Sequence, residues 1–113
     1  MIYYHNPRCS KSREGLSILE KSGKNFKIKH YLLEEVTYEE LSQIINKLKI
    51  KPIDLVRKNE KIIKEKGIDL GSMTDKKILE TLVSHPILIE RPILITKDKA
   101  AIGRPLEIIK SML

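Results

Sequence analysis

The sequence predicts an α/β fold in which a mixed four-stranded sheet carries helices, and three observations support that fold class. The chain opens with an apolar strand, a helix and a second strand in close succession. Its middle part shows helical periodicity, and its end contains two short apolar strands followed by a helix. With 113 residues the chain can bury one core, so we expect a single domain over residues 1–113.

The opening strand, helix and strand can be delimited from local signals. Ile2-Tyr3-Tyr4 is an apolar strand that is broken by Asn6-Pro7. A helix is expected from about Ser10 to Lys21, with Gly23 as its C-terminal stop. Residues 26–31 alternate with a period of two, which indicates a second strand parallel to the first. One face of that strand would hold Phe26, Ile28 and His30, and the other Lys27, Lys29 and Tyr31.

Several helices are predicted in the middle of the chain. The sequence Thr37-Tyr38-Glu39-Glu40 is a capping box, and apolar residues follow it at helical spacing. Pro52 opens a short helix that runs to about Val56, and residues 59–67 form another with a cap and a glycine stop. Thr74 caps a further helix that ends before Pro86.

The end of the chain predicts an antiparallel pair of strands and a last helix. Ile93-Leu94-Ile95 and Ala100-Ala101-Ile102 flank a polar turn, and Pro105 starts the helix. The order βαβ, helical insertion, ββα, with a cysteine after the first strand, predicts a thioredoxin-like arrangement. In such an arrangement Pro92 would face the thiol in the cis form, while the alternative is a strand breaker or edge residue.

The single cysteine, Cys9, lies where the first strand ends and the first helix begins. Backbone N–H groups and the helix dipole stabilise an anion there, so the position favours a thiolate. Arg8, Lys11 and Arg13, with His5 as a further candidate, would supply nearby positive charge. The alternative is an inert buried cysteine, but the polar and basic neighbours favour a reactive thiol.

Composition narrows the classes of function. The chain has 22 Lys and Arg against 15 Asp and Glu, a net charge of +7 that favours anionic partners. It has no tryptophan, one phenylalanine and no clustered basic helix, so nucleic acid is not an expected partner. We see no membrane span, signal peptide or metal-ligand spacing. We therefore expect a soluble cytoplasmic monomer without a membrane partner or bound metal.

Four motifs, in order along the chain, resemble the ArsC family of glutaredoxin-dependent arsenate reductases and, more distantly, the Spx regulators. The run from His5 to Arg13, HNPRCSKSR, is similar to the family's His-Asn-Pro-x-Cys-x-x-Ser-Arg active-site loop. The other motifs are residues 55–59, 91–93 and 103–105. The resemblance covers almost the whole chain and implies a thioredoxin fold and the reduction of arsenate to arsenite in arsenic resistance.

The resemblance also implies roles for single residues. Cys9 is the implied nucleophile that attacks arsenic, and His5 would help to keep its thiol ionised, unless it is an ordinary surface histidine. Ser12 takes the place of the second cysteine in redox Cys-x-x-Cys loops. Its hydroxyl would bond the thiolate or would belong only to the first helical turn. The implied oxyanion-binding residues are Arg57, Arg91 and Arg104, whose guanidinium groups can each hold two oxygens.

Three other polar residues are assigned less specific roles. Asn6 orders the active-site loop or serves as a plain turn residue. His30 and His85 coincide with no motif, so we expect them to be structural.

The implied reaction needs electrons from outside, because the chain has one cysteine. The resemblance implies glutathione followed by glutaredoxin as the source, with arsenate or a similar oxyanion as substrate and no bound cofactor. A rival function is that of a Spx-like transcriptional regulator that binds RNA polymerase. Such regulators typically carry a Cys-x-x-Cys switch, which Ser12 interrupts here. A homologue with another oxyanion or thiol substrate is a third alternative.

Overall fold

The computed structural model describes residues 1–113 and divides into two compact units. Unit 1 consists of Met1–Glu35 and Arg91–Leu113, and unit 2 consists of Val36–Glu90. Unit 2 corresponds to the part of the sequence in which several helices are predicted. The expectation of a single domain over residues 1–113 stays a prediction.

A mixed four-stranded sheet with the order β2-β1-β3-β4 runs through unit 1. Its strands are β1 (Ile2–Tyr4), β2 (Lys27–Lys29), β3 (Ile93–Ile95) and β4 (Ala100–Ile102). β1 pairs with β2 in parallel and with β3 in antiparallel orientation, and β3 pairs with β4 in antiparallel orientation. Tyr3 lies opposite Ile28 on one side and Leu94 on the other. The predicted mixed sheet is confirmed.

The α-helices are α1 (Ser10–Ser22), α2 (Tyr38–Leu48), α3 (Lys61–Glu65), α4 (Asp75–Ser84) and α5 (Glu107–Ser111). In unit 1, α1 and α5 cover the sheet with a core of fully buried side chains, Tyr3, Leu19, Leu94 and Ile109. α1 ends at Gly23, whose φ of 72° is in the left-handed region that glycine adopts without a steric penalty. α5 begins two residues after Pro105 rather than at it. None of the helices has both the length and the hydrophobicity that a membrane span requires.

The burial of β2 and the following turn differs from the predicted alternation. Ile28, expected on the apolar face, is 37% exposed, whereas Tyr31, expected among the lysines, is 1% exposed. β2 ends at Lys29, so Tyr31 already lies in a turn and is not bound by the period of the strand. Its ring stacks on Tyr4 with the ring centroids 6.4 Å apart.

Unit 2 is helical, and α4 packs against α2 and against two 3₁₀ turns, Pro52–Leu55 and Pro86–Leu88. The predicted capping box is present, because the Thr37 hydroxyl accepts the N–H of Glu40 and the Glu40 carboxylate accepts the N–H of Thr37. α3 is shorter than predicted. It begins after Glu60 instead of Asn59, and no side chain caps it.

Candidate active site

A tight turn holds Cys9 at the N-cap of α1. The backbone N–H of Cys9 donates to the carbonyl of Asn6 at 3.0 Å, and the Cys9 carbonyl accepts the N–H of Arg13 at 3.0 Å. The Asn6 side-chain carbonyl accepts the N–H of Arg8 at 3.0 Å, so this residue orders the turn through its side chain as well. Cys9 itself is a partly buried free thiol in extended backbone conformation.

Ser12 joins the end of β1 to the first turn of α1. Its hydroxyl oxygen lies 2.7 Å from Nδ1 of His5 in a hydrogen bond and accepts the N–H of Asn6 at 2.9 Å. The side chain is completely buried. The sequence left two roles open for this hydroxyl, and one of them was a bond to the Cys9 thiol. That bond is absent from this structure. The hydroxyl is occupied by His5 and Asn6.

His5 is 5% exposed, so the alternative of a surface histidine is wrong. Its ring stacks on Tyr3 with the centroids 5.8 Å apart and meets the ring of His30 edge-on at 5.9 Å. Burial, followed by the nearby charges of His30 and Arg13, lowers the pKa of His5 below its usual value. The neutral imidazole is thus the favoured form. His30, expected to be only structural, contributes to this environment.

The positive charge that contacts the Cys9 sulfur comes from Arg104. Its Nη2 donates to Sγ of Cys9 at 3.7 Å, and its Nε donates to the carbonyl of Arg91 at 2.8 Å. Two of the basic neighbours in sequence have other partners. Lys11 pairs with Glu14 at 3.7 Å, and the Arg13 guanidinium donates to the carbonyl of Pro7 at 2.8 Å.

The segments that carry Arg91 and Arg104 are held together by Pro92 and Gly103. The N–H of Gly103 donates to the carbonyl of Pro92 at 2.8 Å. A Cβ at Gly103 would lie 2.9 Å from Cγ of Pro92, so the close approach needs glycine. The Arg91–Pro92 bond is cis, as expected, and the Arg104–Pro105 bond is also cis, which the sequence did not predict.

Arg57 belongs to unit 2, where two carboxylates flank its side chain. Nη1 lies 3.2 Å from Oε1 of Glu60, and Nε lies 3.6 Å from Oε1 of Glu90. Its backbone N–H donates to the carbonyl of Leu88 at 2.7 Å. With its side chain 25% exposed, Arg57 keeps a path to solvent. Its implied role in oxyanion binding stays a prediction.

Sequence reasoning missed Tyr3 and Gly15 as parts of the site. The Tyr3 hydroxyl donates to the backbone carbonyl of Ser12 at 2.7 Å, and burial strongly raises its pKa, so the hydroxyl stays protonated. Gly15 leaves space for that hydroxyl, since a Cβ there would collide with it. A glycine inside an otherwise regular predicted helix was the signal that could have indicated this close approach.

The side chains of this chain form no group of three or more His, Cys, Asp or Glu that could hold a metal ion.

A cysteine at the N-cap of the helix that follows the first strand, a proline directly before β3 and an arginine at the sulfur define a thiol protein of thioredoxin-like architecture. The chain belongs to the ArsC family, whose model matches residues 4–112. Both the predicted family and the predicted fold class are confirmed.

Relatives match over nearly the full chain. An arsenate reductase of Neisseria meningitidis serogroup B is 40% identical over 111 residues, which cover 97% of this chain and 95% of that protein. An arsenate reductase of Haemophilus influenzae is 39% identical and covers 100% of this chain and 98% of its own. The solved structure of an arsenate reductase from Vibrio cholerae superposes with a TM-score of 0.91 at 34% identity, covering 99% of this chain and 96% of that one.

Proposed function

We propose that this protein is an arsenate reductase, which converts arsenate to arsenite through a thiol-arsenate intermediate on Cys9. The observation that carries the proposal is the 3.7 Å contact between Nη2 of Arg104 and Sγ of Cys9 at the start of α1. A guanidinium beside the nucleophile can bind the oxygens of an incoming oxyanion and stabilise the charge that develops on them. Relatives named arsenate reductase match nearly the full chain, which supports the same activity.

In the first step, the Cys9 thiolate attacks the arsenic atom of arsenate. A sulfur–arsenic bond forms, an arsenic–oxygen bond breaks, and the oxygen leaves as water after it has taken up protons. Negative charge on the remaining oxygens is stabilised by arginine. The bond from Nε of Arg104 to the Arg91 carbonyl fixes the guanidinium plane and leaves its Nη edge for sulfur and oxyanion.

Arg91 and Arg57 are proposed as further oxyanion ligands. Support for Arg91 comes from its position next to Pro92 and from the hydrogen bond between its carbonyl and Arg104. Arg57 is supported by its motif and by a side chain that is 25% exposed, whose pairing with Glu60 and Glu90 would compete with a bound anion. His5 and Ser12 take part by holding the loop that presents Cys9.

In the second step, an external thiolate attacks the Cys9 sulfur. A disulfide forms, the electron pair of the sulfur–arsenic bond goes to arsenic, and arsenite leaves. A second thiol then reduces the mixed disulfide, so that arsenate and two thiols give arsenite, one disulfide and water. We propose glutathione as the first thiol and glutaredoxin as the partner that completes the cycle. The lone cysteine supports an external donor, and a reducing cytoplasm would provide it.

Space for an approaching thiol is available beside Arg104. An open pocket of about 460 Å³ lies between α1 and the segment that leads into α5. Charged side chains of both signs line it, namely Lys11, Glu14, Arg104 and Glu107. A zwitterionic thiol such as glutathione could be accommodated there next to the active-site arginine.

A turnover assay with arsenate, glutathione and glutaredoxin tests the proposal. The purified protein should form arsenite continuously, and Cys9→Ser should abolish the reaction. Absence of turnover with the unaltered protein, or undiminished turnover with Cys9→Ser, would overturn it. The Spx-like alternative, a regulator that binds RNA polymerase, would give no turnover with any thiol.

A further inference from the structure

The completely buried hydroxyl of Ser12 has two hydrogen-bond partners, and their chemistry determines where its proton lies. The N–H of Asn6 donates to Oγ at 2.9 Å, and a backbone N–H cannot act in any other way. The second partner, Nδ1 of His5, lies 2.7 Å from Oγ. An imidazole nitrogen can donate or accept, so this bond has two directions to consider.

Only one direction gives the Ser12 hydroxyl proton an acceptor. If Nδ1 carried a proton and donated it to Ser12, the hydroxyl proton would have no acceptor. Water cannot supply one, because the Ser12 side chain is completely buried. If the hydroxyl donates to Nδ1, all three groups are satisfied in one chain from the Asn6 N–H through Oγ to the imidazole. An acceptor Nδ1 requires the proton of a neutral histidine to be on Nε2.

We propose that Ser12 is a positioning residue that donates its hydroxyl proton to Nδ1 of His5 and so holds His5 as a neutral ring with its proton on Nε2. His5 then supplies no positive charge to Cys9 near neutral pH, and the contacting cation is Arg104. The same hydroxyl fixes the N–H of Asn6, whose carbonyl and side chain hold the turn that carries Cys9. Ser12 thereby acts on the sulfur through the loop.

The groups that face His5 agree with a neutral ring. Tyr3 of β1 stacks on it, His30 after β2 meets its edge, and Arg13 of α1 adds a positive charge nearby. The Tyr3 hydroxyl is directed to the Ser12 carbonyl instead of the ring. Of these neighbours none is a carboxylate that would favour an imidazolium.

Protein uniformly labelled with ¹⁵N tests the proposal directly. A long-range nitrogen–proton correlation spectrum near pH 7 identifies which ring nitrogen of each histidine carries a proton. His5 should be neutral with its proton on Nε2. A proton on Nδ1, or a doubly protonated ring at that pH, would overturn the assignment, and neither result would bear on whether the protein reduces arsenate.

Variants of Ser12 test the positioning role. In Ser12→Ala the titration midpoint of His5 should move to higher pH. In the unaltered protein an imidazolium would leave the Ser12 hydroxyl proton without an acceptor, and the variant removes that penalty. The acid limb of the pH profile of turnover should also shift to higher pH. Ser12→Thr retains the hydroxyl and should titrate close to the unaltered protein. An unchanged midpoint in folded Ser12→Ala would contradict the proposal, and if that variant does not fold, the spectrum of the unaltered protein still decides.

Discussion

The Arg104 guanidinium donates a hydrogen bond to the Cys9 sulfur at 3.7 Å, across 95 positions of the sequence. Its Nε is bonded at the same time to the carbonyl of Arg91, so its orientation is fixed by the backbone next to the cis proline. A single side chain thus connects the nucleophile to the segments that carry Arg91 and Arg104. This arrangement makes Arg104 the most informative position for mutagenesis.

Replacement of Arg104 by alanine should slow arsenate turnover without unfolding the protein, since the side chain is exposed. A hydrogen bond to a charged group contributes about 1.5–3 kcal/mol, which corresponds to roughly a ten- to hundredfold loss in kcat/KM. Arg104→Lys should retain only part of the kcat/KM of the unaltered protein, because an ammonium keeps the charge but lacks the planar guanidinium fork. Steady-state kinetics provide the measurement.

Lys97→Ala is the matched control for Arg104, since it removes one exposed positive charge from the turn between β3 and β4. This variant should have a kcat/KM within about twofold of that of the unaltered protein. Equal losses of kcat/KM in Lys97→Ala and Arg104→Ala would mean that the effect comes from overall charge. An unchanged kcat/KM in Arg104→Ala would mean that this residue takes no part in the reaction.

The source of electrons gives a second prediction. Because the chain has one cysteine, turnover should require an external small thiol and should fail with thioredoxin as the sole reductant. Mass spectrometry of the protein stopped during turnover should detect Cys9 linked to the thiol. Efficient turnover with thioredoxin alone, or turnover in which Cys9 never carries the external thiol, would contradict the proposed second step.

Local signals predicted the part of the site that is close in sequence. The end of β1, the cap position of Cys9 and the stop at Gly23 follow from short-range rules. The direction of the basic side chains does not follow from such short-range rules. Lys11 and Arg13 are near Cys9 in sequence, yet they bind Glu14 and Pro7.

The sequence does not show how polar groups pair when they are distant along the chain or when two of them compete for one partner. The family resemblance implied the importance of Ser12 and His5, but a sequence does not say whether a hydroxyl bonds a thiol or an imidazole. That choice depends on the crossing of β1 and α1, which also brings Tyr3 against Gly15. Similarly, the turn that buries Tyr31 begins where β2 ends, a boundary set by tertiary packing.

The lowered pKa of His5 predicts how stability depends on pH. An unfolded chain takes up a proton on histidine near pH 6.5, whereas the folded protein takes it up only at lower pH. Between these two values the unfolded state binds more protons, so stability is full above about pH 6.5 and falls as the pH falls through that window. Urea midpoints between pH 7.5 and 5 should show this decrease.

His5→Gln is the comparison for that titration, because it removes the ionisable ring. The variant should be less stable at pH 7.5 through loss of the bond to Ser12, but its midpoint should change less between pH 7.5 and 5. If both proteins lost stability equally over this range, another group would be responsible for the acid sensitivity.

The fit of Tyr3 against Gly15 gives the last prediction. Tyr3→Phe removes a buried hydroxyl that donates to the Ser12 carbonyl, and should cost about 0.5–1.5 kcal/mol of unfolding free energy. Gly15→Ala should be destabilising by about 1–3 kcal/mol, although alanine favours a helix, because its Cβ would collide with the Tyr3 hydroxyl.

A double-mutant cycle separates this contact from general effects of the two substitutions. In the Tyr3→Phe background, the colliding oxygen is gone, so Gly15→Ala should cost at least about 0.5 kcal/mol less than in the unaltered protein. The remaining cost reflects two other atoms close to the new Cβ, Cδ1 of Ile109 at 3.0 Å and the ring carbon Cζ of residue 3 at 3.2 Å, which Phe retains. Urea unfolding of the four proteins measures the coupling. Simple additivity would mean that the helix moves away from Tyr3 at little cost and that this pair does not fix the start of α1.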